Sequence, residues 1–572
     1  MVAGLCRIAA ALVMAGLIPV VAVAQVVPPS EQPGRERERF TTPEAPRARP
    51  AGIAISLPST VVPAGADKTT LTISNIRIVG STVYKDEDFL PLYQDLLGRP
   101  VPLAAVYDLA RRITEKYGSD GYVLSRAVVP PQSLTARGAT LRIQIVEGYV
   151  DQVEWPRDKL ARYRDFFTDY TAKIIADRPA NIRTLERYLL LANDLPGLKF
   201  STSLKPSKTN PAASTLVVEV TEKRIDALAR ADNRGTPARG PYQYLGTATV
   251  NNILGAHESF TATWAGTFQF RELQYLFLGY RQVLNSEGLT AFVNGSYSWG
   301  KPGTVDLETL DYKTKSAVAE IGLMYPWLRS RERNLSFTGL FFATDDDGDI
   351  LDNPSIPPST RDRLRGFRAK ADGDFADRFL GINQINLTYS QGIEGLGSTL
   401  NGNPLASREA GRVDFEKVEG TFSRLQPLVQ NFSLLVAAYG QYAMTPLLVS
   451  EQCGYGGRFF GRAYDPSQLL GDHCWEALAE LRYDLPLGWA PPAAQLTLAQ
   501  LYAYADHGKV YNLHNIANDP ASGLPVSVEA GSAGGGIRLG WMNAFTADLS
   551  AAKAVDGPRD DWRFFFILAA KY

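Results

Sequence analysis

The stretch FTATWAGTFQF, residues 260–270, alternates between two kinds of side chain at every position. The apolar or small residues of one face are Phe260, Ala262, Trp264, Gly266, Phe268 and Phe270. The other face carries threonines, an alanine and a glutamine. A strict period of two predicts a β-strand with one apolar face. In a strand of this length, with aromatic rings near its ends, the pattern is typical of a membrane strand that faces lipid outside and a polar interior inside.

The same alternation extends from about residue 225 to the C-terminus. LTAFVNGSYSW (289–299) repeats it, and DWRFFFILAAKY (561–572) ends the chain on an aromatic residue, as closing strands of outer-membrane barrels commonly do. A soluble β-sandwich would explain alternation alone, but not roughly 350 residues of it with aromatics near the strand ends. At roughly 20 residues for a strand and its loop, we predict a transmembrane antiparallel β-barrel of about 16 strands over residues 225–572.

The charge balance of the chain limits its partners. The 572 residues include 59 lysines and arginines and 60 aspartates and glutamates, for a formal net charge of −1. Binding to nucleic acid by phosphate neutralisation needs an excess of basic residues, so this balance argues against a nucleic-acid partner. The 49 glycines and 36 prolines supply the many turns that an all-β region needs.

Residues 1–24 have the pattern of a signal peptide. A single early charge, Arg7, precedes an apolar stretch, and an Ala-x-Ala cleavage site ends at Ala24. A retained membrane anchor is the alternative, but the stretch is short and Pro19 interrupts it. Later segments fall short of the ~18 apolar residues that a spanning helix needs, so an exported chain that crosses a membrane would do so as a barrel.

The region between the signal peptide and the barrel divides into a linker and a repeat. Residues 25–68 are rich in proline, arginine and glutamate and are interpreted as a linker. Two similar units follow, at residues 69–147 and 148–224. Each has the pattern strand, helix, helix, strand, strand, and their final strands lie about 75 residues apart, which predicts a tandem repeat of small α+β domains.

The cysteines point to one disulfide. Removal of the signal peptide would take Cys6 with it and leave Cys453 and Cys474. Two cysteines in an exported protein favour a disulfide over a metal site. The bond would close a loop of about 20 residues and stabilise the fold by roughly 3 kcal/mol on the loop-entropy model. The two cysteines bracket the stretch FFGRAYDPSQLLGDHCW (459–475), which has almost no apolar periodicity and carries an arginine between glycine-rich turns.

No motif in the chain predicts catalysis. The four histidines, His257, His473, His507 and His514, have no metal-ligand spacing, and no P-loop, dinucleotide or nucleophile-elbow motif occurs in its proper context. DDDGD (345–349) lacks the twelve-residue spacing of a calcium-binding EF-hand loop and is interpreted as a solvated loop. We therefore expect no enzyme activity, no metal and no cofactor.

Taken together, the signal peptide, proline-rich linker, two small repeats and C-terminal barrel resemble the two-partner secretion transporters. This is the TpsB class, or the ShlB/FhaC/HecB family of haemolysin secretion/activation proteins. The repeats resemble POTRA domains, because GYVLSRAVVPPQ (121–132) and LRIQIVEGYVDQV (141–153) are close to the pattern of the family's first POTRA domain. The resemblance implies a barrel embedded in the outer-membrane lipid of a Gram-negative bacterium, with two POTRA domains in the periplasm.

Members of this family carry a Val-Arg-Gly-Tyr/Phe motif in a long extracellular loop that folds back into the barrel, followed by a Gly-Asp pair. The matching residues here are Gly461, Arg462, Ala463 and Tyr464, with Gly471 and Asp472 as the pair. The resemblance places the loop at about 453–474. This chain departs from the motif, since Gly461 stands for valine and Ala463 for glycine, and Cys474 stands where the family often has glycine.

In the family, the arginine's partner is an aspartate in an aromatic-x-Asp-x-Gly motif on a later strand. YADHGKV (504–510) contains this motif as Tyr504, Asp506 and Gly508. An arginine inside a barrel needs a carboxylate, whose two oxygens match the fork of the guanidinium. The resemblance therefore implies a buried Arg462–Asp506 pair that sets the position of the loop and the state of the pore.

The implied function is export of a large partner exoprotein, an adhesin or a cytolysin. The POTRA domains would bind it by adding an extended chain to their edge strands. In this family an N-terminal helix plugs the pore, and PGRERERF (33–40) is the candidate here. The alternative is a barrel-assembly or insertase protein with the same domain plan, which usually has more POTRA repeats, while a passive porin would have no use for the repeats.

Overall fold

The computed structural model describes residues 27–40, 46–49, 62–134, 138–156, 164–208, 210, 212–351, 359–489, 491, 495–513 and 526–572. The predicted signal peptide at 1–24 and His514 lie outside the described residues. Among the helices in these ranges, none combines the length and the apolar character needed to cross a membrane.

The first α+β unit follows a 3-10 turn (Pro29–Glu31) and a short helix, α1 (Glu36–Phe40). Its elements are β1 (Thr70–Val79), α2 (Asp86–Tyr93), a 3-10 turn (Gln94–Leu96), β2 (Pro100–Pro102), α3 (Leu103–Ser119), β3 (Arg126–Val128) and β4 (Ala139–Val146). β1 runs parallel to β4 in a sheet of order β2-β1-β4-β3. Helix α3 covers this sheet because its buried side chains Val106, Leu109 and Ile113 recur at helical spacing.

The second α+β unit matches the β1-β4-β3 part of the first. Its elements are β5 (Tyr149–Glu154), α4 (Arg164–Ala176), α5 (Ile182–Asn193), β6 (Leu198–Pro206) and β7 (Ala213–Glu222). The first strand, β5, again runs parallel to the last, β7, in a sheet of order β5-β7-β6. Strand β6 pairs antiparallel with β7 and forms one edge of the sheet.

The described residues from Ile225 onward form a closed barrel of sixteen antiparallel strands, together with a short helix and a separate two-stranded hairpin. The elements are β8 (Ile225–Asp232), β9 (Gln243–Asn251), β10 (Glu258–Thr267), β11 (Gln274–Val283), β12 (Thr290–Gly300), α6 (Val305–Thr309), β13 (Lys313–Arg329), β14 (Arg333–Asp349), β15 (Thr360–Ala376), β16 (Ile382–Gly392), β17 (Glu416–Pro427), β18 (Phe432–Ala443), β19 (Cys453–Tyr455), β20 (Leu469–Gly471), β21 (His473–Asp484), β22 (Leu496–Tyr511), β23 (Ser527–Trp541), β24 (Phe545–Asp556) and β25 (Trp562–Lys571). β25 pairs with β8 and closes the cylinder, while β19 and β20 form a separate hairpin. The predicted barrel of about 16 strands is confirmed.

The outer face of the barrel is apolar. Trp264 is 53% exposed, whereas its neighbour on the strand, Ala265, is fully buried. The same alternation occurs in the last strand, where Phe564 is exposed and Phe565 is buried. Large apolar side chains that alternate with covered ones are what a lipid-facing wall requires.

The second α+β unit packs against one end of the barrel, here called the proximal rim. Arg187 on α5 pairs with Glu287 in the β11–β12 turn at 2.9 Å. Arg329 at the end of β13 pairs with Asp194 at 2.6 Å. The opposite end, the distal rim, carries longer loops, one of which contains α6.

The interpretation of residues 345–349 as a solvated loop is wrong. These residues are the last part of β14, and residues 345–348 pair with β15. The reason is charge compensation across the two strands: Asp345 pairs with Arg365 at 2.8 Å and Asp347 with Arg363 at 2.6 Å. Opposite charges on neighbouring strands stabilise strand pairing, so the acidic run extends the sheet.

Candidate functional site inside the barrel

A loop between β18 and β21 lies within the barrel. Its two ends pair as the β19–β20 hairpin. Cys453 at the start of β19 and Cys474 in β21 form a disulfide, with their Cα atoms 6.4 Å apart, so the base of the loop is joined covalently to the wall. Tyr455 and Tyr464 of the loop are buried in a cluster with side chains of β21–β25. The loop therefore covers one part of the inner wall.

Asp506 of β22 faces inward and anchors the backbone of this loop. Its carboxylate accepts hydrogen bonds from the Gly461 amide at 3.0 Å and, more weakly, from the Arg462 amide at 3.5 Å. It also accepts the hydroxyls of Tyr455 at 2.7 Å and of Ser532 at 2.8 Å. One buried carboxylate thus satisfies several donors that would otherwise be buried without a partner.

The guanidinium of Arg462 binds a different carboxylate from the one expected. It donates to Glu480 of β21 at 2.6 Å and lies 4.2 Å from the centre of the Tyr504 ring. Only the backbone amide of Arg462 reaches Asp506. The pair that the structure shows is therefore Arg462–Glu480, and the expected side-chain pair with Asp506 is not formed. Tyr504 of the wall motif contributes its ring face to the arginine, which is a cation–π contact.

Glu480 is the central residue that sequence reasoning missed. Its side chain is fully buried, and it accepts from Arg462, from Arg482 at 2.7 Å and from Arg538 at 2.8 Å. Its signal in the sequence is weak: the stretch EALAELRYDL (476–485) places acidic residues on one face of an otherwise apolar strand. Glu480 is therefore a buried carboxylate shared by three arginines.

Two glycines of the motifs are required by close packing. Gly461 has a φ of +62°, and a Cβ there would lie 2.8 Å from both the Gly456 backbone and the Tyr455 ring. Valine could not adopt this backbone without strain, which explains the departure from the family motif at this position. A Cβ at Gly508 would lie 2.5 Å from the Tyr455 ring, so the wall motif needs glycine to admit the loop.

The residues that follow Arg462 bind the last strands of the barrel. The Tyr464 hydroxyl donates to the carbonyl of Asp556 at the end of β24. The carbonyl of Ala463 accepts from Arg563 of β25 at 3.3 Å, and Asp465 pairs with Arg563 at 2.8 Å. The loop therefore contacts strands on both sides of Asp506.

The Gly-Asp pair has a different task from the arginine motif. Asp472 is fully buried and binds Arg408 through both oxygens, at 2.6 and 3.2 Å. It also accepts the amides of Leu447 at 2.9 Å and Leu513 at 2.8 Å. These three partners lie in three different distal segments, so Asp472 ties the distal loops together. Gly471 allows the close approach to β22, since a Cβ there would lie 2.8 Å from the backbone nitrogen of Tyr511.

The N-terminal segment, residues 27–40, also lies inside the barrel. Glu31 pairs with Arg239 of the β8–β9 loop at 2.7 Å, and both side chains are buried. Arg37 binds Glu320 on the inner face of β13 through two nitrogens, at 2.7 and 3.1 Å. Phe40 packs on inward-facing side chains of β9–β11. The candidate helix within residues 33–40 is present as the five residues of α1.

This segment also contacts the loop. The Arg35 guanidinium donates to the carbonyl of Gln452 at 2.7 Å and to the Ser467 hydroxyl at 3.0 Å. Arg458 of the loop donates in turn to the carbonyl of Arg39 at 3.3 Å. The N-terminal segment and the loop together therefore occupy the bore.

The described N-terminal residues extend from one rim of the barrel to the other. Val27 packs against a cluster at the distal rim that includes Leu307 of α6. At the proximal rim, the Ala48 amide donates to Asp374, and the Arg49 amide donates to the carbonyl of Arg331 at 2.8 Å. Val27 therefore lies at the distal rim, and residues 48–49 lie at the proximal rim, on the side of the second α+β unit.

The protonation states of two groups in the bore follow from their neighbours. Burial alone would raise the pKa of Glu31, yet Arg39 and Arg239 hold that pKa below its usual value, so Glu31 is a stable anion. Burial and the nearby Asp506 raise the pKa of the Tyr455 hydroxyl, which keeps it a neutral donor. Within the described ranges, no group of three or more His, Cys, Asp or Glu side chains is arranged to hold a metal ion.

The first α+β unit and the barrel identify the chain as an outer-membrane transporter with a POTRA domain, because each matches a family model. The model of the ShlB-type POTRA domain matches residues 71–148. The model of the haemolysin secretion/activation protein ShlB/FhaC/HecB matches residues 213–535, which is more than half of the chain. The chain belongs to this family.

Named relatives agree with this assignment. The outer membrane transporter CdiB of Dickeya dadantii is 23% identical over 85% of this chain and 86% of its own length. The heme/hemopexin transporter protein HuxB of Haemophilus influenzae is 21% identical over 83% and 82%. Among solved structures, CdiB from Escherichia coli has the same fold, with a TM-score of 0.69 at 18% identity over 90% of this chain and 94% of that one. A BamA structure from Haemophilus ducreyi shares the fold more distantly, with a TM-score of 0.50 at 14% identity over 88% of this chain and 100% of that one.

The family sets the function of the chain. It is a two-partner secretion transporter of the outer membrane, which exports a large partner exoprotein through its barrel. Its POTRA region lies in the periplasm, so the proximal rim is the periplasmic end and the distal rim faces the outside. The chain is a transporter and not an enzyme.

Proposed function

We propose that the chain exports one large secreted exoprotein of the adhesin or cytolysin class through a gated bore. The observation that carries this proposal is the double occupancy of the barrel by the N-terminal segment and the inward loop, which a passive porin would not need. In this proposal the N-terminal segment closes the resting pore and the loop around 453–474 sets its state. The test is a two-protein system, in which surface appearance of a candidate exoprotein must require this chain. Insertion of other barrel proteins without such export would instead favour an assembly function.

The unit at 148–224 is proposed to be a second POTRA domain. It repeats the strand order and the parallel pairing of first and last strands that the first unit has. It is fixed to the proximal rim by the Arg187–Glu287 and Arg329–Asp194 pairs, so it stands at the entrance of the bore. An exported chain held by this unit would be presented directly to the barrel.

Strand β6 of this unit is the proposed docking edge for the exoprotein. It pairs with β7 on one side only, and most of its side chains are exposed. An unpaired strand edge can accept an extended segment by adding a strand to the sheet.

Cysteine crosslinking tests this docking edge. Ser203→Cys in β6 is expected to crosslink through a short bismaleimide to cysteines in the N-terminal secretion domain of the partner exoprotein. Arg111→Cys on the exposed face of α3 is the matched control and is expected to give no product. Equal yields at the two positions would contradict docking at β6.

Breaking the Glu31–Arg239 pair should open the resting pore. In the Arg239→Ala variant, Glu31 loses its closest cation in a buried site, and breaking such a pair costs about 3–5 kcal/mol. We expect the open probability of single channels in planar bilayers to rise by about tenfold or more. Arg271→Ala is the control, since Arg271 lies in the same distal region but forms an exposed pair with Glu308. An unchanged open probability in Arg239→Ala would show that the segment does not close the pore.

A further inference from the structure

The N-terminal segment packs on a carboxyl group of the wall that forms no salt bridge with the described residues. This group belongs to Asp346, which lies near the distal end of β14 and is 1% exposed. A Cβ on Gly34 of the segment would lie 2.8 Å from one carboxyl oxygen of Asp346 and 2.7 Å from the Cβ of Ser450 in the loop. Asp346 therefore lies where the wall, the segment and the loop meet.

The charged side chains that face Asp346 are acidic. Asp362 of β15 lies directly opposite in the strand register and is 3% exposed. Glu36 of the segment is 2% exposed, and the Gly34 amide donates to its carboxylate at 3.0 Å. Both carboxylates disfavour a negative charge on Asp346, because like charges repel strongly in a buried site.

The other neighbours of Asp346 do not compensate a negative charge. Ser316 of β13, opposite Asp346 on the second side of β14, and Ser450 of the loop carry neutral hydroxyls. The guanidinium of Arg363 reaches only the backbone carbonyl of Asp346, at 3.4 Å. The charged groups of the surrounding elements bind one another: Arg239 with Glu31 and Glu36, Arg35 with Glu38, Arg363 with Asp347, and Glu451 with Arg368 and Lys417.

These surroundings favour the neutral form of Asp346. Within the described part of the chain, neither of its carboxyl oxygens accepts a hydrogen bond of good geometry, and the Ser450 hydroxyl also lacks a partner. A buried carboxylate without donors or a counter-charge costs far more free energy than the neutral acid. A proton removes the charge and gives the side chain a hydroxyl that can donate.

We propose that Asp346 is the pH sensor of the pore: the segment stays in the bore while this acid is protonated, and loss of the proton drives the segment out. This rests on the proposed closure of the pore by the segment and adds its regulation. Since Asp346 lies toward the distal rim, the medium outside the cell sets its proton supply.

The sign of the pH dependence follows from the two states. In the closed pore an ionised Asp346 would face Glu36 and Asp362 without water, whereas in the open pore water reaches the carboxylate and solvates it. The closed state therefore binds the proton more tightly, and the ratio of open to closed pores rises with pH. For one proton this rise is at most about tenfold per pH unit.

Single-channel recording of the full mature chain in planar bilayers tests the sensor. Between about pH 5 and about pH 9, we expect the open probability of the wild type to rise by about tenfold or more. Asp346→Asn is neutral at every pH and has nearly the same shape, so it should stay closed and give a flat profile. A purely structural role for Asp346 would leave the slope unchanged, and an unchanged slope in Asp346→Asn would overturn the proposal.

The matched control is the next residue of the same strand. The Asp345 side chain is 42% exposed and pairs with Arg365 on the outer face of the barrel. Asp345→Asn should therefore keep the pH profile of the wild type. The heat-dependent electrophoretic mobility of each variant shows whether it is folded.

Glu36→Gln provides a second test that leaves Asp346 in place, and it decides the matter if Asp346→Asn does not fold. The change removes the charge of the segment that faces Asp346 but keeps an oxygen for the Gly34 amide. An ionised Asp346 then meets one anion fewer, so the rise with pH should be at least about threefold smaller than in the wild type. A rise as large as that of the wild type would overturn the proposal.

The Arg239→Ala variant separates the sensor from the proposed function. A raised open probability in Arg239→Ala, together with a flat pH profile of the wild type, would overturn the sensor and leave closure by the segment standing. If neither Arg239→Ala nor pH changes the open probability, closure of the pore by the segment is itself wrong.

Discussion

Replacing Asp506 by alanine should release the loop and abolish export. The change removes the acceptor for the Gly461 amide and for the Tyr455 and Ser532 hydroxyls, all of which are buried. Each donor left without a partner costs about 1–3 kcal/mol. The free energy lost from the docked loop is therefore larger than one surface contact could restore. We expect no detectable exoprotein at the cell surface, with the barrel itself still closed and inserted.

The readout combines export with protease protection of the loop in the purified protein. Ser532→Ala is the matched control, because it removes one of the same hydrogen bonds but keeps the carboxylate. It should retain most of the export and a protected loop. A fully protected loop and normal export in Asp506→Ala would show that the carboxylate does not position the loop.

Replacing Glu480 by alanine should be the most destabilising change at the site. Arg462 would remain buried without a counter-charge, and breaking a buried ion pair costs about 3–5 kcal/mol. Arg482 and Arg538 would lose the same partner, although Arg538 keeps Asp548 at 3.1 Å. We expect a lower unfolding temperature of the detergent-solubilised barrel and loss of export.

A double-mutant cycle separates the two carboxylates around Arg462. The coupling energy between Arg462→Ala and Glu480→Ala should be larger than that between Arg462→Ala and Asp506→Ala, because the guanidinium pairs with Glu480. Glu529→Ala serves as the control, since its exposed pair with Lys509 should contribute little. A larger coupling energy for Arg462 with Asp506 than with Glu480 would show that the arginine pairs with Asp506, as the family motif implies.

The barrel was predictable because its determinants are local. A period of two along each strand identifies the lipid-facing side, and Trp264 and Phe564 lie on the exposed face as the alternation requires. The number of strands followed from the length of the region and a typical strand-plus-loop length. These properties depend on neighbouring residues in the chain and not on distant contacts.

The partner of Arg462 was not predictable from its motif. Asp506 lies opposite Leu478, and Glu480 lies opposite Tyr504, so the two carboxylates are on neighbouring strands and close together. The structure places both side chains on the inner face, whereas strand alternation alone does not fix which face is inward or which carboxylate the arginine reaches. The role of Asp506 as an acceptor for backbone amides leaves no trace in the residue pattern, because every residue has an amide.

Composition interprets residues 25–68 as a linker, and only the family resemblance makes residues 33–40 a candidate plug. The charges of ERERF (36–40) do not by themselves indicate a place inside the barrel, since charged residues are seldom buried without partners. Their partners, Glu320 and Arg239, lie about two hundred residues or more along the chain and become neighbours only when the barrel closes. Ser30, Glu31 and Arg35 are buried for the same reason.

Val27 lies at the outer rim of the barrel and Ala48 at its periplasmic rim, and these two positions restrict how the proposed resting state can end. If the segment withdraws toward the periplasm, Val27 must be drawn through the full height of the cylinder. On the proposed gating, a folded domain fused ahead of Val27 would be too wide for the bore and would hold the segment in place. A short flexible tag would pass through the bore and become inaccessible from the outside whenever the pore opens.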